Sequence, residues 1–236
     1  MKILEYLHCK KQRNNHVIQL EDMYLLNLGP VILLPICQPI WELMSNSKGQ
    51  LGQFRRLAED LISGLQFLHS NLVAHHNIKL DNLVYSPKFG LQIINFDVVV
   101  QLDKDTDMMD DVVGTEGYMA LELENNQGLS YSSLKANLWS CGWVIKEFLD
   151  YIREEELYKK LKQLASELTA NNLRKRPPLD SWRWDGSMHE MPARKWARAE
   201  DKRVSNVCCA TAQIASSLVG MYEYMEINMV GMFAGL

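Results

Sequence analysis

Between Val73 and Asp97 the chain concentrates side chains able to do chemistry: His75, His76, Asn77, Lys79, Asp81 and Asn82, then Asn95-Phe96-Asp97. Amides dominate where acids would be more reactive. Asn77 offers one acceptor oxygen but takes no proton near neutral pH, and a hard dication prefers carboxylate oxygen to the neutral carbonyl of Asn95. The His75-His76 pair makes a poor zinc site, because adjacent side chains diverge and no third ligand stands at a metal spacing. Two stray acids remain. In extended backbone, residues two apart face the same way, so Asp97 can offer a displaced carboxylate beside Asn95, and Asp81 adjoins Asn82. The competing reading of both is a solvated surface acid.

These residues need elements to hold them. Gln50 to Ser70 predicts an amphipathic helix: Phe54, Leu57, Leu61, Leu65 and Leu68 recur at helical spacing, with Arg55, Arg56, Glu59 and Asp60 opposite. Leu83–Tyr85 and Leu91–Ile94 read as a hairpin around Ser86-Pro87-Lys88-Phe89-Gly90. Upstream, Met1 to about Lys10 reads as a helix end, Val17–Leu26 and Pro30–Ile36 as two strands, and Trp41–Asn46 as a short helix. Downstream, residues 101–111 hold five Asp and read as a solvated loop. Ser132–Ile152 and Glu154–Leu168 read as helices, the first the most apolar of the chain.

Taken together, the stretch resembles the catalytic core of a protein kinase. That family carries His-Arg-Asp, a Lys two residues after the Asp, an Asn five after it, and Asp-Phe-Gly further on. Here His75 fills the His slot, His76 the Arg slot and Asn77 the catalytic Asp slot, while Lys79 and Asn82 match. Asn95 stands at the metal-binding Asp and Asp97 at the Gly. Gly114-Thr-Glu-Gly-Tyr-Met-Ala-Leu-Glu122 resembles the closing motif of Ser/Thr kinases, with Leu121 in place of Pro. Asn137-Leu-Trp-Ser-Cys-Gly142 is similar to Asp-x-Trp-Ser-x-Gly, and Arg176-Pro177 to the motif whose Arg pairs with the closing Glu, here Glu122.

The resemblance implies an α+β protein kinase-like fold: residues 1–38 as a remnant of the N-lobe with Leu34–Gln38 as the hinge, 39–184 as the helical C-lobe, and 185–236 as an unassigned tail. It implies a structural His75, and an Asn137 that accepts from catalytic-loop backbone near His75 or His76. Asn77, Lys79 and Asn82 fall in the catalytic set; Lys79, Asn82 and Asn95 face the nucleotide; Asn82 and Asn95, with Asp97 as a displaced substitute, are the metal positions. His76 could meet a phosphorylated loop only when protonated. No Gly-x-Gly-x-x-Gly is present, and the family's strand Lys and helix Glu are expected before Met1.

Loss of a general base costs about 10² to 10⁴ in rate, roughly 3–5 kcal/mol, and loss of the metal carboxylate adds to it. The leading expectation is a catalytically impaired pseudokinase acting as a binding or scaffold module, with no cofactor. The alternatives are a weakly active Ser/Thr kinase using ATP and magnesium, for which Lys79 and Asn82 argue, and a truncated fragment without function.

Composition narrows the rest. The 236 residues are 47% apolar with net charge −4, enough for a packed core and too balanced to argue for nucleic acid. Basic residues near Trp182, Trp184 and Trp196 are interleaved with acids, which again disfavours nucleic acid. Five cysteines with no Cys-x-x-Cys spacing fit reduced thiols in the cytoplasm or nucleus. The start lacks a signal-peptide core, and the charge-free run Val204–Tyr222 is interrupted by Ser, Thr, Asn and Gln, so no membrane span is expected. The expected partner is a protein.

Overall fold

A computed structural model describes residues 2–10, 15–26, 29–46, 53–124, 129–179 and 182. Met1–Arg183 forms the first, compact unit of the chain, divided from Trp184–Leu236. All described residues lie in the first, so the tail 185–236 and its apolar run fall outside them.

The unit opens with α1 (Lys2–His8), which buries Leu4 and Leu7. Strands β1 (Asp22–Leu26) and β2 (Gly29–Leu33) pair antiparallel, and Gly29 turns the ribbon at φ +120°, a left-handed conformation natural to glycine. The strand expected from Val17 starts only at Asp22. Residues 16–18 are used elsewhere: Ile93 N donates to His16 O at 2.7 Å and Ile18 N to Ile93 O at 2.9 Å, a parallel bridge. Both ribbon faces meet water: Tyr24, Leu26, Val31 and Leu33 are exposed on one and Ile32 on the other.

Next come β3 (Gln38–Pro39), α2 (Ile40–Asn46) and α3 (Gln53–Ser70). All five apolar positions expected on α3 are buried, as are Ala58 and Ile62; full burial of such a side chain stabilises by about 1.5–3 kcal/mol. β4 (Val73–Ala74) leads into the His75–Lys79 loop, closed by a 3-10 turn at Leu80–Asn82. β5 (Leu83–Ser86) and β6 (Gly90–Ile93) form the expected hairpin and join β3 in the sheet β3-β5-β6.

Residues 101–111 are more ordered than their Asp content suggests. β7 (Val100–Gln101) pairs with β4, and β8 (Met108–Met109) with β9 (Tyr131–Ser132). The Asp residues build the turn between: Asp107 Oδ2 accepts from the backbone N–H of Asp103 and Lys104 at 2.8 and 2.9 Å, and short acidic side chains favour such turns.

α4 (Leu121–Glu124), α5 (Ser133–Leu149) and α6 (Glu155–Leu168) complete the unit. Phe54 of α3 meets Phe148 edge-on at 6.0 Å and stacks on Tyr151 at 4.6 Å. A Cβ at Gly142 would lie 2.9 Å from Leu168 Cβ and 2.8 Å from Thr169 Cγ2. Only glycine lets α6 end so close to α5.

Candidate active site

β4 delivers His75 into the core, fully buried. Its Nε2 lies 3.0 Å from Ile94 O and its Nδ1 accepts from Asn77 N at 3.3 Å, which puts the ring proton on Nε2. Burial pushes its pKa down to about 4, against an ordinary 6.5. Because the unfolded chain takes up a proton that the folded chain refuses, this contribution to stability is whole above pH 6.5 and lost as pH falls toward 4. The unfolding midpoint is expected to drop between pH 7 and pH 5, with a shallower slope in His75→Gln. An identical slope in that variant would remove His75 from the account.

His76 holds a left-handed backbone at φ 62°. Its N–H donates to Asn137 Oδ1 at 2.8 Å and its Nδ1 lies 3.1 Å from Val98 O. The remaining Nε2 is buried without a hydrogen-bond partner, and burial lowers the pKa. A neutral His76 cannot replace an arginine as a phosphate partner.

Asn137, inside α5, is fully buried, and its Nδ2 has no hydrogen-bond partner. Asn137→Leu removes the acceptor for a buried N–H, though it also removes that orphaned amide. The expected loss is therefore just above about 1 kcal/mol. Unchanged thermal unfolding would count against the bond.

Three asparagines are linked in a chain of hydrogen bonds. Asn82, buried on the 3-10 turn, donates from Nδ2 to Asn77 O at 2.7 Å, and its Oδ1 accepts from Asn95 Nδ2 at 3.2 Å. Asn77 Oδ1 accepts from the Thr115 hydroxyl at 2.7 Å. Lys79 Nζ lies 3.5 Å from Asp81 Oδ2, and the Asp81 side chain is 67% exposed. Asp97 does not supply a substitute carboxylate. Asn95 is left-handed at φ 67° and Asp97 is exposed, so the extended alternation that would align them does not exist. Asn82 and Asn95 thus present amide oxygen only, and among the described residues no group of three or more His, Cys, Asp or Glu could hold a metal ion.

Away from the loop, Arg176 is fully buried and binds Glu122 through both terminal nitrogens, at 2.6 and 2.8 Å. The ordered frame of catalytic loop, Asn95 turn, closing segment and Arg176–Glu122 bridge is the packing of a kinase C-lobe. The model of the protein kinase domain matches residues 2–190. The chain belongs to the protein kinase family. Relatives of this kinase domain include the protein named Probable serine/threonine-protein kinase CCRP1 of Zea mays, 31% identical over 151 residues, covering 59% of this chain and 22% of that one. Another is serine/threonine-protein kinase STE20 of Eremothecium gossypii, 27% identical over 161 residues, covering 66% and 16%. CBL-interacting serine/threonine-protein kinase 13 of Arabidopsis thaliana is 34% identical over 103 residues, covering 42% and 20%. The matched part is about a fifth of these relatives' length.

Two contacts of the kinase domain escaped the sequence. The signal for Thr115 was Gly114, at φ +139°, where a Cβ would meet Met119 Cγ at 2.8 Å and His76 O at 3.2 Å; that glycine presses the closing motif onto the loop. Tyr118 donates to Glu147 Oε1 at 2.7 Å. Burial and that bond push the phenol's pKa well up, and burial raises that of Glu147. Nothing in the spacing of an apolar helix marks this pair. No helix among the described residues is long and apolar enough to cross a membrane.

Proposed function

We propose that this kinase domain is catalytically impaired and serves as a binding or scaffold module for another protein, in an intracellular compartment and without nucleic acid or membrane. The observation that carries the reading is the Asn95–Asn82 bond. The Asn82 amide is oriented by its own bond to Asn77 O, so its oxygen faces Asn95. With an amide at 95 the two positions satisfy each other; with a carboxylate they would need a cation between them. Magnesium does not fit a pair of neutral amides, one of whose oxygens already accepts from the other. At position 77 the amide fills the Thr115 contact but cannot accept a substrate proton.

A weakly active Ser/Thr kinase using ATP and magnesium is the second reading, favoured by Lys79 and Asn82 and by a closing segment still bonded to the loop. The deciding test is thermal unfolding of the full chain with ATP, with and without magnesium. The expected result is no magnesium-dependent shift. A shift requiring both would restore the enzyme.

A further inference from the structure

A cavity of about 420 Å³ opens between the second half of α3, the start of α5 and Pro178-Leu179. Its volume lies in the range of small-molecule sites, and none of its lining residues belongs to the amide chain described above. Leu134, Leu138 and Leu179 supply apolar wall. Its polar lining residues include His69 and Lys135. His69 Nε2 is buried without a hydrogen-bond partner, and Lys135 Nζ spends one proton on Arg176 O at 2.6 Å, keeping two to donate.

A buried imidazole nitrogen without a partner costs free energy that an incoming acceptor would recover. The sign of that acceptor follows from the surroundings. Burial, with the Lys135 charge as second cause, lowers the His69 pKa to about 4, so the ring is neutral and its Nε2 is open to carry a proton. An ammonium would face Lys135 directly. A neutral carbonyl would satisfy the imidazole and leave the lysine charge unmatched. The one acid of the lining, Asp105, is exposed and therefore largely screened.

The geometry points to a binding site for a small monocarboxylate with an apolar body, its carboxylate shared by His69 Nε2–H and the Lys135 ammonium and its body against Leu138 and Leu179. The test uses the full chain, labelled with ¹⁵N in its histidine rings, and the probe 4-phenylbutyrate with its matching amide. The acid is expected to move the His69 Nε2 resonance saturably and raise the unfolding midpoint. The amide should bind at least about tenfold more weakly, because charge-assisted bonds are the stronger ones. Leu134→Trp should fill the mouth and abolish the response, as should Lys135→Met. Since Lys135 also holds Arg176 O, the first variant, at a half-buried position, guards against loss by misfolding. A solvated crevice predicts something else. Equal responses to acid and amide, no His69 shift at millimolar probe, or undiminished binding in Leu134→Trp would each overturn the site.

Discussion

Glu122→Gln is expected to destabilise the domain by about 3–5 kcal/mol, the cost of leaving a buried charge without its partner. Arg176 has nowhere to send that charge. The other contacts of its guanidinium are neutral: Nε to Ala170 O at 2.8 Å, Nη1 to Lys135 O at 3.0 Å, and the Trp139 ring with its centroid 4.8 Å away. Glutamine returns one oxygen and turns an NH₂ group toward a cation. Urea unfolding of the full chain measures the loss. Replacing both residues, as Glu122→Leu with Arg176→Met, should cost much less than the sum of the single changes, since it removes the charge along with its partner. A single variant with the midpoint of the parent would mean that the pair is not the anchor its geometry suggests.

The second large effect concerns phosphoryl transfer. The parent is expected to move no label from the γ-phosphate of ATP to protein in any Lys79-dependent way. Asn95→Asp should create a magnesium-dependent ATP response that the parent lacks, because a carboxylate would then oppose Asn82 Oδ1, at the contact now 3.2 Å long, and call for a cation. Adding Asn77→Asp supplies a proton acceptor, a change generally worth about 10² to 10⁴ in rate. The Thr115 hydroxyl can donate to either residue at 77, so the fold gives no reason for the second change to destabilise. Transfer by the parent, abolished in Lys79→Met, would sink the impaired reading and leave the Ser/Thr kinase in its place.

How much of this was legible depended on how local the determining contacts are. The stripe on α3 and the frame around His75 are written in residues three to five apart, and a reader of the sequence finds them. Asn137 was legible because a polar residue on an apolar helix requires a partner, and Arg176 through the motif that pairs it with Glu122. The Asp97 argument failed because the sequence does not reveal that Asn95 turns left-handed. Residues 101–111 were read as a loop because their strand partners, Val73-Ala74 and Tyr131-Ser132, lie some thirty positions before and about twenty after. The strand expected from Val17 lost its first residues to Ile93, more than seventy positions away. The His69 cavity had no sequence signal at all.

The β1–β2 ribbon has a thermodynamic corollary. A lone two-stranded hairpin is marginal in water, and this one exposes apolar side chains instead of burying them, so parting its strands forfeits little hydrophobic energy. The amide chain and the Arg176 bridge lie elsewhere in the same unit and share no strand pairing with the ribbon. The ribbon can therefore fray in a sub-global opening while the loop frame stays closed, and a single melting temperature would average two different events.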